Sequence, residues 1–240
     1  MNKTQYSPAW PHTDIKEVFP DIYFVMGTNI THYNGIDLQH SRNMVIIKNN
    51  HELSLINTVR LTDSGLAALD ALGQVKNVIR IGAFHGRDDG FYLDKYAAKF
   101  WAIKEMDIED HRSIDTELTA NGQMPFSTCS FFLFETSQFP EGVLHINQEG
   151  GIIITCDSIK NWLAPDPFFS EETAKLYAKQ GFYGPASISR VWMQATDVEA
   201  SDFNKLMSLP FRHLISAHGE PLLNTAHEQV KLSIMKSFGG

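Results

Sequence analysis

The stretch NVIRIGAFHGRDD, residues 77–89, decides the reading of this chain. Residues 77–81 carry the β-branched pattern of a strand, Gly82 breaks it, and His85, Asp88 and Asp89 follow in the loop beyond the break. Two later runs end in the same way. GIIITCD offers Asp157 past an apolar strand, and HLISAHG offers His218 past another. In layered α/β folds, ligands sit beyond the carboxyl ends of strands, because the backbone turns into loops there while the sheet holds their roots. Imidazole nitrogens and carboxylate oxygens are donors for zinc, iron or manganese, and a site made only of them usually leaves a position for water.

Working outward, residues 22–26 read as a strand ending at Gly27, and the polar stretch 28–41 reads as an ordered loop. NMVIIK (43–48) and LSLINTV (53–59) flank Asn49, Asn50 and His51 as a hairpin. Residues 62–72 switch to helical spacing, with Thr62, Asp63 and Ser64 available as caps and Gly73 as the stop. Residues 91–100 read as a further helix, which Asp88 and Asp89 are placed to cap. FFLFET, VLHI and GIIITC then form a second meander. Helices are expected over 171–179, 200–207 and 222–238, with the strand HLISA (213–217) before the last. Strands and helices recur in a roughly duplicated order, which suits two sheets covered by helices on their outer faces.

At 240 residues the chain is expected to bury one core as a single domain over residues 1–240. A net charge of -8 disfavours a nucleic-acid partner, which calls for a basic face. Cys129 and Cys156 are too few for a disulfide framework and are expected to be reduced. No apolar run approaches the roughly 20 residues that cross a bilayer. No signal-peptide core opens the chain, so a cytoplasmic location is the expectation.

The order of these pieces resembles the metallo-β-lactamase fold superfamily. Its members place a His-x-His-x-Asp-His loop after an early strand, a further His in the middle, an Asp after a strand, and a final His in a His-Gly step. The corresponding pieces here are AFHGRDD (83–89), LHI (144–146), TCDS (155–158) and SAHGEP (216–221). The resemblance implies an α/β (α+β) fold, a four-layer αββα sandwich of two mixed sheets packed face to face. It also implies a metal centre of His85, Asp89, His145, Asp157 and His218, with the unbound member of the Asp88–Asp89 pair as general base. The first motif is altered. Ala83 stands where the family has its first His, and the frame leaves either Asp88 or Asp89 at the ligand position.

One or two divalent ions are implied, zinc foremost, with iron or manganese favoured by the carboxylate content. The expected activity is hydrolysis of a small-molecule ester, thioester, amide or phosphodiester. The alternatives are a degenerate member that binds a ligand without turnover and an iron-dependent redox protein. Fold alone does not choose among them. His12, His32 and His40 are placed to line a site mouth, whereas His51, His111, His213 and His227 read as turn, solvated or packed residues. Arg42 and Arg60 suit either an anionic ligand or a structural ion pair. NWLAPDPFFS (161–170) reads as either a shaped lid or a fixed aromatic loop.

Overall fold

The computed structural model describes residues 6–108 and 112–239, so His111 lies outside the described residues. The first half of the chain runs β1 (Lys16–Phe19), β2 (Ile22–Tyr33), β3 (Ile36–Asn49), β4 (Glu52–Ile56), α1 (Asp63–Leu72), β5 (Gln74–Arg80), α2 (Asp89–Tyr96), β6 (Lys99–Ala102) and β7 (Thr116–Glu117). These strands make one mixed sheet in sequence order, antiparallel from β1 to β4 and parallel from β4 to β7.

The second half supplies β8 (Cys129–Leu133), β9 (Gly142–Ile146), β10 (Ile152–Thr155), β11 (Ile159–Lys160), α3 (Glu171–Gln180), β12 (Ser187–Ile188), α4 (Arg190–Thr196), α5 (Ala200–Leu206), β13 (His213–Ser216) and α6 (Ala226–Phe238). Its sheet has the order β13-β10-β9-β8, with β13 parallel to β10 and the other pairs antiparallel. The short β11 and β12 pair as a separate ribbon.

Strand periodicity explains how these sheets become layers. Leu144 and Ile146 of β9, and Ile152 and Ile154 of β10, join the core built on the first sheet. Their neighbours Val143 and Ile153 face the other way, onto Trp192, Phe203, Val230 and Ile234 of the helices. Leu66 and Leu69 of α1, with Tyr92 and Leu93 of α2, join the first core. The result is the expected αββα sandwich. Each fully buried aliphatic side chain contributes about 1.5–3 kcal/mol of hydrophobic stabilisation.

Helix ends follow side-chain chemistry. Thr62 caps α1 by accepting from Gly65 N at 3.3 Å, and Ser170 caps α3 by accepting from Thr173 N at 3.1 Å. Asp88 occupies the N-cap position of α2 but makes no capping hydrogen bond.

Three expectations are corrected. Residues 28–41 are not a loop: β2 and β3 continue through them as a long hairpin that closes at Asn34-Gly35, both at positive φ (51° and 78°). The helix expected over 91–100 is α2, which starts at Asp89 and stops where Ala97 turns left-handed at φ 50°, so that residues 99–102 pair with β5 as β6. The last helix begins at Ala226 rather than at residue 222, because Leu222 bridges to Leu214 of β13. Among the described residues no helix is long and apolar enough to cross a membrane.

Candidate metal centre

Three carboxyl-terminal strand ends converge. After β5 the chain passes Gly82 to His85, after β10 it reaches Asp157, and after β13 it reaches His218. Imidazole Nε2 of His85 lies 3.2 Å from Nε2 of His218 and 3.3 Å from Asp157 Oδ2, while His218 Nε2 lies 3.1 Å from Asp157 Oδ1. The Cys156 thiol also lies within 4.8 Å of the His85 and Asp157 donors.

The backbone holds this arrangement firmly. Asn43 of β3 donates through its side chain to Ser216 O at 2.9 Å and Gly219 O at 2.7 Å, tying the His218 turn to the first sheet. Gly219 sits at φ +86°, and a Cβ there would come 2.1 Å from Asn161 O, so the His-Gly step admits only glycine without rearrangement. Gly86 is held for a similar reason, since a Cβ would meet the Arg80 guanidinium at 1.8 Å.

Proton positions follow from the partners. Ser41 O lies 3.1 Å from His218 Nδ1, and a carbonyl only accepts, so Nδ1 carries the proton and Nε2 presents its lone pair. Burial pushes His218 and His85 below the usual histidine range, so both rings are neutral near pH 7. Burial also raises the Asp157 carboxyl, but its neighbours, the Lys160 ammonium first among them, outweigh it and hold Asp157 well below the usual carboxylate range. Lys160 Nζ is 3.0 Å from Asp157 Oδ1.

The donor set fits a single metal ion. A tetrahedral zinc site with Zn–N bonds near 2.0–2.1 Å separates its donors by about 3.3 Å. The spacings of 3.1–3.3 Å are near that edge, with Asp157 facing His85 through Oδ2 and His218 through Oδ1. His85 Nδ1 is buried without a hydrogen-bond partner, an orphan in a centre otherwise held by its neighbours.

The remaining site expectations fare differently. Asp89 accepts from Arg80 Nε at 2.8 Å and from Thr58 Oγ1 at 2.5 Å. Asp88 accepts from Arg42 Nη1 at 3.3 Å and Arg60 N at 3.0 Å. Both carboxylates thus have structural partners, Asp89 on Arg80 and Asp88 on Arg42. His145 is corrected by strand phase. It shares the outer face of its sheet with Val143 and Ile153, and its Nε2 donates to Pro210 O at 2.7 Å.

Because β9 runs antiparallel to β10, its first residues, not His145, lie at the Asp157 end. Glu141 stands there. Its Oε1 accepts from Ser158 N at 2.6 Å, and its Oε2 is buried without a partner. Burial and then the Asp157 charge push its carboxyl up to about 8. No local motif singles out Glu141; the strand register shows where it lies.

An aromatic wall closes one side. The Trp162 ring centroid is 4.7 Å from that of His218 and 5.2 Å from that of His40, and Trp162 Nε1 donates to Ser41 Oγ at 2.8 Å. His40 does line the centre, 5.3 Å from His218 between ring centroids, whereas His32 pairs with exposed Asp37 and His12 bonds Thr62. The 161–170 segment is tied at both ends, Asn161 N to His218 O at 2.9 Å and Ser170 N to Gln39 O at 3.0 Å. Arg42 is a structural partner of Asp88, and the Arg60 guanidinium stacks on Phe91.

Comparison with known proteins gives the fold. No family model and no curated protein sequence matches. The solved DIM-1 metallo-β-lactamase is 13% identical with a TM-score of 0.62, covering 96% of this chain and 100% of that one. FIM-1 of Pseudomonas aeruginosa, solved in a mono-zinc form, is 11% identical with a TM-score of 0.64, covering 95% of this chain and 97% of that one. A flavo di-iron protein of Thermotoga maritima is 13% identical with a TM-score of 0.64, covering 95% of this chain and 61% of that one.

Proposed function

From a chain that has the metallo-β-lactamase fold, with part of that fold's usual ligand set, we propose a metal-dependent hydrolase that works with one divalent ion held by His85, Asp157 and His218. The observation that carries this reading is the mutual approach of their donor atoms, from three separate strand ends, to within 3.1–3.3 Å. A divalent ion bound there supplies Lewis acidity and brings the pKa of a coordinated water toward neutrality.

The chain's own groups do the rest. Ser41 O fixes the His218 tautomer, so that Nε2 faces the centre. Trp162 and His40 exclude bulk water on one side. Glu141, with a buried and unpartnered Oε2, is the carboxyl we assign as proton carrier in place of Asp88 and Asp89. The substrate is a small molecule with an ester, thioester, amide or phosphodiester bond.

The test is a hydrolase panel over those four bond types with native, chelator-treated and zinc-restored protein. Turnover that falls on chelation, returns with zinc and is absent from Asp157→Ala supports the reading. A fully metal-loaded protein without turnover on any of the four favours a degenerate, ligand-binding member. One observation favours a second reading: two histidines with one carboxylate are also a donor set of non-haem iron oxygenases. Iron in place of zinc, with visible absorbance, selects redox chemistry.

A further inference from the structure

Asp157 has a cationic neighbour that is not needed to hold a metal. Lys160 begins in the β11–β12 ribbon, where Lys160 pairs with Ser187 and Ile159 with Ile188. The root is fixed again by Ile159 O, which accepts from Ser216 Oγ at 2.6 Å and Thr155 Oγ1 at 2.8 Å. From this root the side chain runs back to Asp157, and its ammonium lies 3.0 Å from Oδ1 with only 12% of the side chain exposed. Asp157 thus meets His85 through Oδ2, and meets both His218 and a built-in positive charge through Oδ1.

The side chains of the early loop that a second metal ion would draw on are engaged elsewhere or missing. Ala83 has no donor, the Arg87 guanidinium donates to Ile30 O at 3.1 Å, Asp88 faces Arg42, and Asp89 faces Arg80. A carboxylate that bridges two cations therefore has room here for only one from solution, because the lysine already provides the other.

We propose that Lys160 is the resident counter-cation of Asp157, which limits the centre to a single metal ion and weakens its hold on that ion. This rests on the reading of His85, Asp157 and His218 as a metal centre. Like-charge repulsion between an ammonium and a divalent ion on the same carboxylate is the physical cause.

The test is zinc binding to the full chain by competition with a chromophoric chelator, with thermal unfolding to verify folding. It compares wild type with Lys160→Met, Lys160→Gln and Lys160→Arg; either neutral variant suffices if the other does not fold. The expected result is one equivalent in wild type, at least tenfold tighter zinc in the neutral variants, and wild-type affinity in Lys160→Arg. Zinc bound by a neutral variant but not by wild type also supports the counter-cation role, while it overturns the metal-dependent reading of the native chain. Two equivalents in wild type, or unchanged or weaker affinity in a folded neutral variant, overturns the inference. Absence of zinc from every variant overturns both.

Discussion

His85 Nε2 and His218 Nε2 lie 3.2 Å apart although 133 positions separate them in the chain. Both imidazole Nε2 atoms also face the charged Asp157, and a cation that draws on all three donors at once is favoured over the pairwise contacts they otherwise make. Zinc is therefore expected to stabilise the fold. At a free concentration of a hundred times its Kd the gain is about 2.7 kcal/mol, which for a chain of this size raises Tm by roughly 5–11 °C. Calorimetry with and without chelator measures it; an unchanged Tm at saturating zinc contradicts it.

Asp89 holds Arg80 in the interior, both side chains under 5% exposed. Asp89→Ala strands a buried guanidinium, with an expected loss of about 3–5 kcal/mol in denaturant unfolding. Metal equivalents in the folded fraction stay unchanged. Lost metal with intact stability would return Asp89 to the ligand set.

His145 is on the outer face of its sheet, bonded to Pro210 O at 2.7 Å. His145→Gln is expected to cost about 1 kcal/mol of stability and to leave zinc affinity as it was. A tenfold fall in affinity would place it in the centre after all.

Gly219→Ala sets a methyl group against Asn161 O and forces a left-handed residue to bear a side chain. Strain of about 1–3 kcal/mol is expected. Because His218 is the preceding residue, zinc affinity should fall in step. Stability lost without any change in affinity would mean that the turn does not position His218.

How much of this was legible in sequence depends on whether a neighbour in the chain or a distant partner decides the outcome. The strands before Gly82, Asp157 and His218 are legible because burial on both faces demands continuous apolar runs. The β2–β3 hairpin is less so: its outer half mixes polar residues with exposed Ile30, Tyr33 and Ile36 and has no clean alternation, and Asn34-Gly35 is the one local mark of its turn. The partners of Asp88 and Asp89 are not legible either, since Arg42 lies 46 positions from Asp88 and Arg80 reaches Asp89 from the preceding strand. Glu141 and His145 exchange places because antiparallel register, which no local pattern encodes, decides which end of β9 faces Asp157.

The central claim, that His85, Asp157 and His218 form one metal centre, is tested most directly by the metal-to-protein ratio. Wild type and the three single alanine variants are purified without tag or chelator and measured by elemental mass spectrometry. One equivalent of a transition metal in wild type, with each variant largely depleted yet folded, is the expected result. A metal-free wild type, or full metal retained by Asp157→Ala and His218→Ala, contradicts it.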